Sequence, residues 1–573
     1  MKYCVLIVIL FSACSSDSNA DPECSAGQKP NPISGLCVGP TGNTDLDAAA
    51  DLPPIAADQG RDLSMVDLGR DIDDPPDLAD FGPTPDMNAP DIGPMPMAEI
   101  CDNGQDDNAD GEIDCLDAQC APTATCGMCI FVARPADVAE APLAGEPAAG
   151  RHETLTSGGF TDDYIYNQAD SFKIGTRREW GGTIVFFGQD NGQPGRNNTN
   201  VIDANDTGRE VQVAFYDPDR RVQNCAWNAS CATTPSACDN SITFLGWNPV
   251  QGGNRCNKGS GVEGVTFAGG AMTVSTLPLQ WNPNWERQDC ATQVCNTAQN
   301  MLRADVRVVQ KLRFVREHIV ELEYTVTNLS ALNHGETAQE FPTVYTANGQ
   351  AGPDLWRLFN SAGTEVNIDI PANDGFKWKP FDSAGGWVAM MNQNLDYGVG
   401  HYTENRLTRW QGWQLRSAPF NNFRPEFPFA IPGNGTIRAR SYLILGGKST
   451  VETEAAWLDQ NLAPFGVVDQ PSADQVVNGN LLTVQGWALD NTAVARVEAV
   501  IDGGAPIVLS YGQNRADVCS VWPKYPGCAN GAVGYGGSVD VSGLSACAHL
   551  LEVYAIDDKG NRRAIERRRF IKA

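Results

Sequence analysis

The sequence predicts an all-β protein: a large antiparallel β-sandwich and a smaller C-terminal sandwich, preceded by a disordered acidic linker. Three observations carry this. Over 306–326, apolar and charged residues alternate with period two on both sides of a turn near Arg316-Glu317, the pattern of a half-buried antiparallel hairpin. Long helical periodicity is nearly absent, and only 451–462 reads as a helix. The last hundred residues repeat short apolar runs, broken by turns at Asp502-Gly503 and Lys559-Gly560-Asn561, which is the rhythm of a small sandwich.

In the hairpin, Val306, Val308, Leu312 and Phe314 face one way and Arg307, Lys311 and Arg313 the other. On the return, Val320, Leu322, Tyr324 and Val326 alternate with Glu321, Glu323 and Thr325. The outward faces oppose basic residues to Glu, which suits cross-strand pairing. Further strands are expected at 183–187, 211–216, 265–267, 272–275, 387–391 and 441–445. That many strands in about three hundred residues need two packed sheets. In the C-terminal unit, strands are expected at 481–489, 494–501, 507–509, 534–541 and 550–556.

A chain of 573 residues exceeds one ordinary domain. The formal charge of −29 is unevenly placed. Residues 41–100 hold thirteen Asp and one Glu against two Arg, and 101–120 hold seven acids and no base. The stretch before residue 100 repeats Pro-Asp and has too little apolar surface to offset chain entropy, so it reads as an extended stalk. Acidity of this kind argues against nucleic acid as a partner, whose phosphates need basic surface. The arginines of 562–569 read as a solvated last strand. The expected organisation is a signal over 1–13, a stalk over 14–100 and a Cys-rich motif over 101–130. A head over 131–463 and a C-terminal domain over 464–573 complete it.

Lys2, an apolar run over 5–11 and the small residues Ser12-Ala13 lead into Cys14. The run is too short to span a bilayer, so it reads as an export signal. It resembles the lipobox of bacterial lipoprotein precursors, with Phe11 where Leu is usual. The resemblance implies acylation of Cys14 and anchoring to a membrane by several chains. Ser15 after the cysteine implies the outer membrane of a Gram-negative cell, with the protein exposed at the surface.

The sixteen cysteines after Cys14 fall in groups at 24–37, 101–129, 225–295 and 519–547, which in an exported protein reads as a disulfide set. Odd counts in the second and fourth groups predict one bridge between distant segments, and Cys519 with Cys528 is expected to close an aromatic-rich loop. Cys126 and Cys129 form a zinc half-site that no second CxxC completes.

Within 99–120, Asp106, Asn108 and Asp110 occupy positions one, three and five of a calcium loop. Gly111 stands at six, Glu112 at seven with its backbone carbonyl, and Asp114 and Asp117 at nine and twelve. Position twelve is Asp rather than Glu, and no flanking helices are expected. The reading is a structural Ca2+ loop clamped by disulfides, Cys101 to Cys115 and Cys120 to Cys126. An acidic disulfide knot without an ion is the competing one. The segment resembles Cys-Asp-Asn-Gly repeats in surface proteins of predatory and related Gram-negative bacteria. Such an ion would stiffen the junction of stalk and head.

Segments "EWGGTIVFF", "NVIDANDTGREVQVAFY", "GWNPVQGG", "ELEYTVTN", "AQEFPTVY" and "YGVGHYTEN" resemble galactose-mutarotase-like supersandwiches, found in epimerases, lyases and glycosidase accessory domains. "LTVQGWALDNTAVARVEAVIDG" and "LEVYAIDDKGNRR" resemble a bacterial Ig-like module. The first resemblance implies carbohydrate as the ligand.

A sugar site wants aromatic faces for the ring and planar Asn, Arg, Asp and Glu groups for hydroxyls. The head carries Trp247, Trp281, Trp285, Trp356, Trp387, Trp410 and Trp413, of which two or three are expected as surface platforms. Arg209, Trp410 and Trp413 are candidate ligand contacts. Candidate acid–base residues are His334, Glu340, His401 and Glu404, supported by Asp206, Arg209 and Tyr345. Catalysis would need them to converge. No nucleophile elbow, HExxH, P-loop or dinucleotide fingerprint occurs. The sequence therefore reads as a lipid-anchored surface protein binding carbohydrate or cell-wall material. Its rivals are a lyase, epimerase or glycosidase on the same fold, and a structural adhesin with protein partners.

Overall fold

The computed structural model describes residues 29–30, 37–38, 98–101, 105–108, 112, 114–123, 126, 129, 132, 143, 150–204, 210–216, 260–278, 304–349, 352–368, 377–404, 409–414 and 420–573. Cys14, Asp110, Asp206, Arg209, Trp247, Trp281 and Trp285 lie outside them. Residues 1–60 and 61–573 are separate compact units. In the first, Lys29–Pro30 pairs antiparallel with Cys37–Val38.

In the second unit, residues 152–445 form two packed antiparallel sheets. The first sheet has Thr436–Leu445, Ile319–Asn328, Val306–Arg316 and Ala271–Thr276 at its centre. Gly398–Thr403, Trp387–Met391 and Arg357–Asn360 extend one side, and Val262–Ala268 closes the other. The second sheet is centred on the strand His334–Ala347. On one side follow Phe420–Pro425, Arg409–Gln414 and Lys377–Asp382. On the other follow Val211–Ala214, Thr183–Gln189, Phe172–Arg177, Phe160–Tyr166 and His152–Ser157. The first half of the central strand pairs separately with Phe427–Ile431.

The hairpin has the expected alternation. Val306, Val308, Leu312 and Phe314 are buried, and so are Val320, Leu322, Tyr324 and Val326. Leu312 stands opposite Leu322 and Arg313 opposite Glu321. These residues pack with Ile174, Ile184, Phe187, Val344, Trp410 and Phe423 from the facing sheet into one continuous core. The one long helix of the described residues, Lys448–Asn461, begins three residues before the expected start. Val451, Glu454, Ala455 and Leu458 are buried at the i, i+3, i+4, i+7 spacing of an amphipathic stripe. The stripe covers the outer face of the first sheet through Tyr402, Tyr442 and Ile444. Val451 comes so close to Gly400 that a Cβ there would sit 2.5 Å from its methyl carbon.

The C-terminal unit is a second sandwich. Its strands run in the order Phe465–Gln470, Leu481–Leu489, Ala532–Asp540, Ile507–Asn514, Val494–Ile501, Ala548–Asp557, Arg562–Lys572 and Gln475–Val477. Val484, Val497, Tyr535, Leu551, Val553 and Phe570 form its core. Cys519 and Cys528 are bridged, as expected.

The Cys-rich motif departs from expectation in pairing and in position. The bridges are Cys101–Cys120 and Cys115–Cys126, not Cys101–Cys115 and Cys120–Cys126. Asp117 accepts the backbone N–H groups of Cys120 and Ala121 in a tight turn, and this turn carries Cys120 back toward Cys101. The long-range bridge is Cys129–Cys547, which fastens the motif to the C-terminal sandwich. Arg569 adds a second fastening. Its guanidinium reaches Glu112 at 2.5 Å, Asp474 at 2.5 Å and the Val132 carbonyl at 3.1 Å. The motif is thus fastened to the last domain, a contact that spacing alone does not indicate.

The arginine-rich last strand is not a solvated face either. Arg563 and Arg569 are buried, Arg567 pairs with Glu552 and Arg568 with Glu566. Arg562 approaches Glu498 and lies 3.4 Å over the Tyr554 ring. A Cys129→Ser chain is expected to keep both sandwiches folded while losing the link between residues 101–128 and the C-terminal domain. Non-reducing peptide maps after limited proteolysis check this, since only the intact bridge holds the two fragments together.

The charged face of the hairpin is buried where the sandwiches meet. Glu321, only 1% exposed, takes a bidentate grip from Arg313 at 2.6 and 2.9 Å. Arg440 lies 3.5 Å from Glu321, 3.2 Å from Glu323 and 3.9 Å from Glu404. Arg563, from the C-terminal sandwich, completes the chain with a short charged contact to Glu404. Asn491 adds a hydrogen bond to Tyr402 at 2.8 Å and Asn561 one to the Gln460 carbonyl at 2.9 Å.

Candidate functional site

The outer face of the second sheet gathers the polar and aromatic groups that a binding site needs. Strand alternation sends Trp410 and Phe423 into the core. It therefore turns Arg409, Gln411 and Trp413 outward on one strand, and Asn422 and Arg424 on the next. Register aligns them. Trp413 stands opposite Asn422, which stands opposite Tyr345. One step along, Gln411 stands opposite Arg424, and on the other side of the central strand Thr343 stands opposite Gln212.

Residues three apart on a regular strand face opposite ways. Between Glu340 and Thr343 the register shifts, at a Phe-Pro pair whose Pro342 has no N–H for the ladder. Both side chains then share one face, and Thr343 Oγ1 donates to Glu340 Oε2 at 2.7 Å. Glu340 Oε1 accepts from Tyr216 Oη at 2.7 Å and from Arg424 Nη1 at 2.5 Å. Burial, and after it the Glu340 charge, push the Tyr216 phenol well above its usual range, so Tyr216 stays a donor. Arg424 also donates through Nε to Gln411 at 2.8 Å, and Gln411 donates to Glu426 at 3.1 Å. Arg409 pairs with Glu426 at 3.0 Å. The Arg424 guanidinium lies 5.9 Å from the centre of the Trp413 ring.

Two groups in this grid have open valences. Asn422 and Gln212 are 1% and 4% exposed, and Asn422 Nδ2 and Gln212 Oε1 have no hydrogen-bond partner among the described residues. A buried donor or acceptor left unpaired costs about 1–3 kcal/mol. One is a donor and the other an acceptor, on strands either side of the central one, so separate hydroxyl groups could satisfy each. Asp203 and Glu210 flank the grid, each joined by a backbone hydrogen bond to Tyr345, at 3.1 and 2.8 Å.

The four acid–base candidates do not converge. Glu340 alone belongs to the outer face. His334 pairs across to Ile431, and its Nε2 lies 3.0 Å from both oxygens of Asp305, which also accepts from Ser330 at 2.8 Å. Burial alone would raise the Asp305 carboxyl, but His334 and Ser330 hold it below the usual range. His401 points into the core, edge-on to Trp410 at 5.4 Å, and burial lowers it to about 3. Neither of its ring nitrogens has a hydrogen-bond partner among the described residues. Glu404 belongs to the inter-sandwich ion network, where burial raises its carboxyl against the pull of Arg563. Of the candidate ligand contacts, Trp410 is core, and Trp413 lies on the grid but is only 4% exposed, so neither is the surface platform that residue type suggested. Trp387 packs under the helix.

In the Cys-rich motif, Asn108 Nδ2 donates to Asp117 Oδ2 at 2.7 Å. Asp117 is fully buried. The loop folds round Glu99, a residue the spacing argument does not include. Its carboxylate accepts the N–H groups of Asp107 at 2.9 Å, Asn108 at 3.3 Å and Asp114 at 3.1 Å. Asp106 is exposed, while Asp114 and Glu112 are half-buried. Among the described residues no three His, Cys, Asp or Glu side chains are gathered as a metal site, and Asp110 is not among them.

Arg424, Gln411, Tyr216, Gln212 and Asn422 are absent from the sequence-based candidates. The signal for three of them was present: in Arg409-Trp-Gln-Gly-Trp-Gln414 and Phe420-Asn-Asn-Phe-Arg-Pro425, alternation separates a polar face from a core face.

No protein-family model matches this chain, and no curated protein matches it. Among solved structures it is similar to a putative aldose 1-epimerase from Escherichia coli K12, at TM-score 0.29 and 11% identity. That likeness covers 52% of this chain and 99% of the epimerase. It is similar to a galactose mutarotase related enzyme from Lactobacillus acidophilus at TM-score 0.28 and 9% identity, over 50% and 97% of the two chains. A polysaccharide lyase is similar at TM-score 0.27 and 8% identity, over 73% of this chain and 47% of the lyase. The chain thus spans about half the length of that lyase.

Proposed function

We propose that this chain is a lipid-anchored protein of the outer membrane whose head binds carbohydrate or cell-wall material on the outer face of its second sheet. One observation carries the binding reading: buried Asn422 Nδ2 and Gln212 Oε1 have no hydrogen-bond partner among the described residues, beside a buried Trp413 and the Glu340–Arg424 pair, so a ligand would have to enter the layer that covers them. A sugar supplies hydroxyls for the open amides and an apolar ring face for the indole. The separate engagements of His334, His401 and Glu404 leave Glu340 without an acid–base companion among the four candidates, which favours binding over turnover. Acylated Cys14 is the anchor, and fatty-acid labelling that persists in a Cys14→Ser chain would contradict it.

The Cys-rich loop is the proposed holder of a structural Ca2+. Asp106, Asn108, Asp110, Asp114 and Asp117, with the Glu112 carbonyl, are the hard oxygen donors such an ion takes. Asn108 and the Gln119 N–H already donate to the two oxygens of the buried Asp117 carboxylate, so an ion would have to displace or share these contacts.

A glycan array probed with the purified chain tests the function. The expected result is retention of at least one sugar, with no product released and no loss on adding a chelator, since the Cys-rich loop is fastened to the other sandwich. Trp413→Ala is expected to weaken that retention about tenfold or more, the scale of a lost buried aromatic contact. Failure to retain any sugar would contradict the reading.

A further inference from the structure

The same outer face has a second feature at its far edge. A cavity of about 250 Å³ opens between the edge strand His152–Ser157 and the 190–195 turn, lined by Arg151, His152, Glu153, Gly192, Gln193 and Pro194. Its size is below the roughly 300–1,000 Å³ of pockets for drug-sized ligands, so it suits one small ring.

The wall is built rather than incidental. Arg151 stacks 3.7 Å over the Tyr166 ring and reaches Asp190 at 3.3 Å. Glu153 accepts the Tyr166 hydroxyl at 2.5 Å. Beneath them Lys173 is fully buried, its ammonium held by Asp190 at 3.0 Å and the Gln193 carbonyl at 2.9 Å. That lysine fixes the turn that closes the cavity.

Two cations, Arg151 and Lys173, here meet two anions, Asp190 and Glu153. The charges cancel, so the cavity has no preference for an ionic ligand. What remains is a planar guanidinium, about half exposed, the Glu153 carboxylate that accepts from Tyr166, and a side-chain amide. These are the groups that recognise a neutral ring of hydroxyls.

Tyr166 and Glu153 stand on the face opposite the core residue Ile165, the same outer face that carries Glu340. Five strand steps separate the His334–Ala347 and His152–Ser157 strands, about 24 Å at ~4.8 Å per step. One sugar ring cannot touch both places. We infer that the edge cavity is a second sugar subsite, and that the ligand is an extended neutral oligosaccharide engaging both the centre and one edge of the sheet. This rests on the carbohydrate reading of the Trp413 site and adds the ligand's length and charge class.

The test is titration of the full chain with size ladders of neutral β-linked glucan, mannan and N-acetylglucosamine, from one to six units. At least one ladder should gain about tenfold or more in affinity between the shortest bound sugar and the hexasaccharide, as a second tethered contact does. Arg151→Ala with Glu153→Ala, and separately Gln193→Trp to fill the cavity, should abolish that gain and leave the shortest sugar's affinity unchanged. Short sugars bound with no gain in length, or a gain that survives both variants, would overturn the second subsite and leave the first standing. Absence of any binding, or binding indifferent to Trp413→Ala, would overturn the carbohydrate reading and the subsite with it.

Discussion

Arg563→Ala is expected to lower the unfolding free energy by about 3–5 kcal/mol, the usual cost of removing one partner of a buried ion pair. Arg563 is the charge that the C-terminal sandwich brings to Glu404 in the inter-sandwich chain of Arg313, Glu321, Glu323, Arg440 and Glu404. Without it, Glu404 keeps its desolvation and loses its main counter-charge. The double variant Arg563→Met with Glu404→Leu should recover much of the loss, because apolar groups of similar size need no pairing. Urea unfolding followed by tryptophan fluorescence reads both. A single variant as stable as the parent would show that solvent reaches Glu404.

His401→Leu should raise stability, by about 1–3 kcal/mol at neutral pH. The imidazole sits in the core against Trp410 with neither nitrogen paired among the described residues, so its replacement removes an unpaid desolvation rather than a contact. The pH dependence gives the stronger signature. Burial lowers His401 from 6.5 to about 3, so between those values the unfolded chain binds a proton that the folded chain does not. Its contribution is fully present above pH 6.5 and is lost as pH falls toward 3, at up to about 1.4 kcal/mol per pH unit. His401→Leu removes that slope. Unfolding curves from pH 7 to 4 check it, and identical slopes in the two chains would place the imidazole in contact with water.

Much of the architecture was legible in the residues. The 306–326 alternation predicted an antiparallel strand pair with basic residues facing Glu, and the structure sets Arg313 opposite Glu321. What alternation does not report is what covers a face. The same pattern describes a charged face in water and one sealed against another domain, so the burial of Glu321 and Glu404 was not visible. The arginines of the last strand were misread for the same reason. Cysteine counting anticipated a long-range bridge, yet pairing inside the Cys-rich motif depended on the turn around Asp117 that spacing does not encode. For the site, residue type pointed to Trp413 and Glu340. Histidine rarity pointed to His334 and His401, which the fold uses for an Asp305 contact and for core packing. Arg424 and Gln212 come from segments distant in sequence and meet only through the register of three strands.

The central claim is that the open amides of the outer face are completed by a sugar. Asn422→Leu tests it most directly, read by calorimetric titration with the glycan the array identifies and by thermal unfolding of the same sample. An unpaired amide contributes nothing to the folded chain, so the melting temperature should hold or rise while affinity falls about tenfold or more, the scale of a lost buried hydrogen bond. Unchanged affinity together with a lower melting temperature would mean that Asn422 serves the fold and not a ligand.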